Sequence, residues 1–220
     1  MACEVRAVAD RVPAGDAVHG RECIYDLRLQ GAPYFRGAAH NLGVYGLAQP
    51  TLLGLKSVLS LLGCQPNSQS GRQCVWVCTR EEPVIYVGDR PFVLREAHKP
   101  THTFSLSDRA ENLEAIEKRL RDDVLLESQR NGGMLLVHEE EEGNEQLVPT
   151  WVAVQRNEVR TVREVWKQVQ SDGWQVVYHR LPIAQDQPLE HNYLDAYTQV
   201  IKESDPVSYT HLTLPTICSV

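Results

Sequence analysis

Apolar and polar positions along the chain change period several times, and each change marks an element. In "TLLGLKSVLSLLG" (Thr51–Gly63), Leu52, Leu55, Val58 and Leu62 recur at helical spacing and Gly63 is a natural stop. "SDRAENLEAIEKRLRDDVLLESQRNGG" carries a second stripe of Leu113, Ile116, Leu120 and Val124. Asp108 and Glu111 stand at capping-box spacing before it, and Gly132-Gly133 close it. Thr161 and Glu164 predict another capping box, opening a helix over "TVREVWKQVQSDG". "LEHNYLDAYTQVIKES" (Leu189–Ser204) sets Leu194, Tyr197 and Ile201 on one helical face.

Between these helices lie short alternating or continuously apolar runs, which predict strands. They are "CIYDLRL" (Cys23–Leu29), "LGVYGLAQP" (Leu42–Pro50), "QCVWVCT" (Gln73–Thr79), "MLLVH" (Met134–His138), "LVPTWVAV" (Leu147–Val154) and "WQVVYH" (Trp174–His179). "VIYVGDRPFVL" (Val84–Leu94) predicts a hairpin around Gly88-Asp89. "QCVWVCT" is apolar enough for a central strand covered on both faces. Trp76 and Trp151 read as core residues. Strands alternating with helices imply an α/β fold, with a largely parallel sheet and helices on its faces.

Residues 1–22 carry little pattern and are expected to be poorly structured or an edge addition. Residues 23–206 are expected to form one domain. After "IKESDP" the character changes abruptly: "VSYTHLTLPTICSV" has no Asp, Glu, Lys or Arg, no helical period and no turn logic. Val207–Val220 reads as a stretch derived from a sequencing adapter and is expected to lie outside the fold. On that reading the native chain continued past Pro206, and the domain is incomplete at its C-terminus.

Composition narrows the function classes. A formal net charge of −7 over 220 residues argues against a general nucleic-acid binder, which needs a basic face. A local basic pocket for a small polyanion is compatible with that balance. The N-terminus lacks the apolar run of a signal peptide, and no stretch approaches a membrane span, which predicts a cytoplasmic location. The six cysteines are then expected to be free thiols. Four strand steps separate Cys74 from Cys78 by about 13 Å, too far for a disulfide. Neither a metal nor a cofactor is expected. His98 and His102 are interrupted by Pro100, Glu139–Glu142 reads as a solvated acidic loop, and no Walker, dinucleotide or zinc pattern is present.

One short match demands attention. "CVWVCTR" holds Cys74 and Arg80 with five residues between them, the spacing by which cysteine-dependent phosphatases grip phosphate. Such a loop needs glycines, so that successive N–H groups turn inward at a helix N-terminus. Val75, Trp76, Val77, Cys78 and Thr79 include no glycine and favour extended backbone. Glu81 and Glu82 then follow, two negative charges where a phosphate would sit. The match is expected to be coincidental, with both cysteines acting as small buried apolar residues.

Five segments together carry a family resemblance: "GAPYFRG", "GVYGLAQPTLLGLKSVL", "VWVCTREEPVIYVGDRPFVLRE", "LSDRAENLEAIEKRL" and "YHRLPIAQDQPLEHNYLDAY". They resemble the paladin group of the protein-tyrosine-phosphatase-like inositol hexakisphosphate phosphatases, especially its multi-repeat, fungal-type members. The likeness runs from about Gly31 to Pro206. It implies a cysteine-phosphatase-like α/β/α sandwich with a mostly parallel central sheet. The family's signature loop follows the helix matching "NYLDAYTQVIKESDP", where this chain changes character, so the nucleophilic cysteine and its arginine are missing.

The resemblance also implies a chemistry for the complete protein. A thiolate attacks phosphorus, and loop N–H groups with an arginine stabilise the equatorial oxygens. A carboxylic acid protonates the leaving inositol oxygen. Asp186, in "LPIAQDQP", stands where that acid belongs, with Glu190 as the fallback. Arg80, in the arginine-glutamate motif, and Arg180, in "YHRLP", are the candidate substrate-phosphate contacts. Alternatives for these are a salt bridge to Glu81 or Glu82 and a structural pairing with the acid loop; His179 reads as structural. The resulting expectation is a fragment of a phosphatase acting on inositol polyphosphates or related phosphoesters, inactive by itself. Its partners would be an inositol phosphate in the complete protein and adjoining repeats of the full-length chain, with no nucleic acid and no membrane span. The alternative is a non-catalytic module binding phosphoinositides or protein partners, and a weaker third is a phosphotyrosine phosphatase.

Overall fold

The computed structural model describes residues 7–9, 29–37, 43–69, 71–96, 99–103, 109–140, 147–183, 191–203 and 209–213. Its organising strand is β4 (Cys74–Cys78), whose five apolar residues are all buried. Such a strand needs neighbours on both edges and cover on both faces. It pairs in parallel with β11 (Val176–Arg180) on one side and β12 (Tyr209–Thr213) on the other. β12 pairs in parallel with β3 (Tyr45–Gly46), and the antiparallel β2 (Arg36–Gly37) closes the row. The order β11-β4-β12-β3-β2 is the mostly parallel sheet that the sequence predicts.

Helices cover both faces of this sheet. Trp76 and its register partner Tyr178 meet Trp166 of α3 (Val162–Ser171), with ring centroids 4.7 and 5.3 Å from it. Strand alternation turns Val75 and Val77 the other way. There they pack with Tyr197 and Val200 of α4 (His191–Glu203) and with Leu181. α1 (Leu52–Leu61) buries Leu55, Val58 and Leu59. Its Lys56 pairs with Asp172, just past α3, at 3.5 Å, which puts α1 on the α3 side. The Thr51 hydroxyl caps α1 by accepting the Gly54 N–H at 3.0 Å. Gly54 has to be glycine, since a Cβ there would come within 1.9 Å of the Gly31 carbonyl oxygen.

A second, seven-stranded sheet is mostly antiparallel. β5 (Val84–Val87) and β6 (Arg90–Glu96) form the expected hairpin, with Gly88 at φ 63°. β10 (Val159–Thr161) pairs with β5, and β7 (Lys99–Thr103) with β6. β1 (Ala7–Ala9) lies between β6 and β8 (Met134–Glu140), and β9 (Leu147–Ala153) forms the edge beyond β8. α2 (Ala110–Arg130) lays Leu120 and Val124 on Ile85, Val87, Phe92, Leu135, Val137 and Val159. The Thr161–Glu164 box forms as predicted. The Glu164 carboxylate accepts the Thr161 N–H at 2.9 Å, and the Thr161 hydroxyl accepts the Glu164 N–H at 3.2 Å. Arg121 of α2 bonds the same carboxylate, and Arg163 bonds Glu114.

Two expectations meet a different outcome. The N-cap of α2 is Arg109, in extended backbone without a side-chain cap bond, and Asp108 lies outside the described residues. Trp151 is 53% exposed rather than in the core. Its neighbour Val152 packs toward the α2 cluster, so alternation along the edge strand turns the indole to the opposite face. Within residues 1–22, Ala7–Ala9 form β1, paired with β6 and β8. Within residues 207–220, Tyr209–Thr213 form β12, paired with β4 and β3. The predicted strand Cys23–Leu29 lies outside the described residues, Leu29 excepted.

Packing divides the chain into two compact units. One comprises residues 1–15 and 81–165 and holds the seven-stranded sheet; the other comprises 16–80 and 166–220 and holds the five-stranded sheet. Residues 81–165 of the first unit interrupt the sequence of the second, and residues 1–15 precede it. Among the described residues, no helix is long and apolar enough to cross a membrane.

Candidate functional site

The Cys-x5-Arg match is a strand. Cys74 opens β4, donates its N–H to the Gln175 carbonyl at 2.9 Å, and stands in register with Val176 and Tyr209. In an extended strand successive N–H groups point to opposite edges, so they cannot converge on one anion. Burial pushes the Cys74 thiol well above its ordinary value, and the neighbouring Cys64 adds to that rise. A phosphate nucleophile needs the reverse, a thiol held low by positive surroundings. Cys64, Cys74 and Cys78 are free and buried, as the apolar reading expects.

The carboxyl ends of the parallel strands gather the polar chemistry of this unit. Cys78, the last residue of β4, is level with Arg180 of β11 and with Thr213 of β12. The pairing continues past the strand ends: Leu181 donates to the Cys78 carbonyl and Ile183 to that of Thr79, both at 2.9 Å. Arg80 and Arg180 therefore leave adjacent strands at one edge of the sheet, with 6% and 7% of their surfaces exposed. In open α/β sheets this is the edge where ligands bind. Two guanidinium groups, five donors each and permanently charged, suit phosphate oxygens there.

A third polar residue of this edge escaped sequence reasoning. Gln49, three positions past β3, is 6% exposed. Its signal was present as a lone amide in "AQPT", at a junction of strand and helix where the neighbours are apolar or capping residues. Glu117 also went unnoticed. It is fully buried on α2 and accepts the Val84 N–H at 3.1 Å at the start of β5.

The remaining candidates separate cleanly. Asp186 and Glu190, the candidate acids, lie outside the described residues, as does His98. Glu139 pairs with Arg90 at 2.6 Å, so the acidic run begins at the end of β8. Among the described residues, no group of three or more His, Cys, Asp or Glu could hold a metal ion.

Comparison with known proteins gives three findings. Residues 77–216 match the sequence model of a family described as PTP-like phytase, inositol hexakisphosphate. The chain is 32% identical over 190 residues to Paladin of Xenopus tropicalis, covering 82% of this chain and 21% of that protein. It is 29% identical over 214 residues to Paladin of Mus musculus, covering 92% of this chain and 24% of that one. The chain thus spans about a fifth to a quarter of the length of these relatives. Among solved structures, it resembles the PTP-like myo-inositol phosphatase of Mitsuokella multacida, determined in complex with myo-inositol-(1,3,4,5)-tetrakisphosphate. There the TM-score is 0.61 and the identity 16%, over 96% of this chain and 33% of that one. A PTP-like phytase of Bdellovibrio bacteriovorus matches with TM-score 0.56 and 16% identity, over 94% of this chain and 60% of that one.

Proposed function

Because this chain belongs to the PTP-like phytase family, we propose that it is part of a cysteine-dependent phosphatase-like protein acting on inositol polyphosphates, and that by itself it binds such a ligand without hydrolysing it. One observation carries the reading: Arg80 and Arg180 are buried at adjacent carboxyl ends of a parallel sheet in a family of phosphate-ester hydrolases. Each guanidinium would hold a phosphate oxygen through charge-assisted hydrogen bonds. Asp186, in the segment after β11, would protonate the leaving inositol oxygen in the complete protein. Further phosphatase-like segments of a longer chain would be its partners, and a cytoplasmic setting suits its free thiols.

The expected lack of turnover is supported by the sequence. Cys74–Arg80 is the sole Cys-x5-Arg stretch of the given sequence, and its first five residues form strand β4. That same observation favours a second reading, a non-catalytic module that holds phosphoinositides or protein partners. The test is calorimetric binding of inositol hexakisphosphate beside a phosphate-release assay. Wild-type chain is expected to bind and to release nothing above a blank, and Cys74→Ser to behave identically. Arg80→Ala and Arg180→Ala should each weaken binding by roughly ten- to hundredfold, the worth of a charged hydrogen bond. Turnover abolished by Cys74→Ser would make β4 the catalytic segment and overturn the reading. Tighter binding to phosphoinositide vesicles than to the soluble hexakisphosphate would select the module.

A further inference from the structure

We infer that Gln49 is a further ligand-binding residue of this sheet edge, donating its side-chain amide to a phosphate or hydroxyl oxygen of the inositol polyphosphate held beside Arg80. The register supplies the first part of the case. Thr213 is level with Cys78, and Leu212 is level with Gly46. Continuing that register one residue past β3 would set Leu47 level with Thr213 and so with Cys78. Two residues beyond that line stand Gln49 on one side and Arg80 on the other. β12 lies between their strands, so those strands are two spacings, about 10 Å, apart. One inorganic phosphate cannot span that gap; a ring bearing several phosphates can.

The second part is burial and rigidity. Gln49 is as buried as the two arginines. Its backbone is clamped on both sides. Ala48 donates to the Pro33 carbonyl at 2.9 Å and Thr51 to that of Gly31 at 2.8 Å. Pro50 fixes φ between them, and Thr51 caps α1. A side chain on so constrained a segment presents its amide at a fixed place, as a specificity contact requires. A neutral donor at the same sheet edge as two cations also discriminates. It can serve a ring hydroxyl or a phosphate oxygen, so it reads the pattern of substitution rather than total charge.

The inference rests on the phosphate site proposed above, and the experiment keeps the two apart. Binding of inositol hexakisphosphate to the full chain is measured calorimetrically for wild type, Gln49→Leu, Gln49→Glu and Arg80→Ala, each below its own melting transition. Gln49→Leu, close in size and unable to donate, should weaken binding roughly three- to tenfold, the worth of one neutral hydrogen bond. Gln49→Glu, which sets an anion against phosphate, should weaken it more than Gln49→Leu does. Should Gln49→Glu fail to fold, Gln49→Asn takes its place: it keeps the amide but withdraws it by one methylene, and should lie between wild type and Gln49→Leu. Wild-type affinity in every folded Gln49 variant, with Arg80→Ala weakened, overturns the role of Gln49 and leaves the site standing. Equal affinity in wild type and Arg80→Ala, or no binding by wild type, overturns the site and the inference with it.

Discussion

Cys74 illustrates how a spacing can carry the wrong chemistry. Its thiol is deprived of water by burial and raised further by Cys64, so the folded protein keeps that proton to higher pH than the unfolded chain does. A group raised in the folded state contributes stability that is fully present below its ordinary value, here 9.0, and is lost as pH climbs above it. The buried Tyr197 phenol, also pushed up by desolvation, acts in the same sense at higher pH. Urea melts between pH 7 and 10.5 should therefore show stability falling above about pH 9, and Cys74→Ala should flatten part of that slope. An identical slope in the variant would mean that the thiol is not shielded as described. Other single residues were illegible for a definite reason. Glu117 occupies the apolar register of its own helix, four residues after Leu113 and three before Leu120, where the pattern invites a core side chain. Ile116 was read into the stripe instead, yet it is half-buried and Glu117 fully so. Only the location of the Val84 N–H, 33 residues away in sequence, explains a carboxylate there.

At the scale of elements, local chemistry was readable where the partners lie close in sequence. The α3 box needs only Thr161 and Glu164, three residues apart, and both of its bonds form. The hairpin at Gly88 needs only a glycine that tolerates positive φ. The α2 start was less legible, because a box motif predicts a cap only if the chain enters the helix at that residue. Trp151 shows the same limit in a strand: alternation gives two faces but not which one is covered. For α3 a quantitative expectation follows. Thr161→Ala removes a hydroxyl cap and should cost about 1 kcal/mol in urea unfolding. Glu164→Ala should cost more, since it also removes the bond from Arg121 of α2 to α3, leaving Arg121 only its neighbour Asp122. A Glu164→Ala variant no less stable than Thr161→Ala would show that the α2–α3 ion pair contributes nothing.

Across the whole molecule, the alternation of strands and helices gave the α/β class, and the family likeness gave the sandwich; the division into two units was not legible. Period-two patterns look alike in parallel and antiparallel sheets, and nothing local tells β5 that it pairs with β10 and β6 rather than with β4. The same non-locality governs residues 207–220. Their composition suggests a stretch foreign to the fold, but a central slot beside β4 has to be occupied by some strand. β12 occupies it, with five residues in register against β4 and two against β3. Removing that strand would leave one edge of β4 and one of β3 without ladder partners. Each ladder hydrogen bond so lost costs about 0.5–1.5 kcal/mol, and an open apolar edge promotes pairing between molecules. A chain ending at Pro206 should therefore unfold at lower urea than the full chain and aggregate at concentrations where the full chain does not. Leu212→Pro, which deletes one ladder donor from the middle of β12, should reproduce part of that loss in the full-length chain. Equal urea midpoints for the full chain, the shortened chain and Leu212→Pro would show that these residues add nothing to the sheet, whatever their conformation, and would return them to the status their composition suggests.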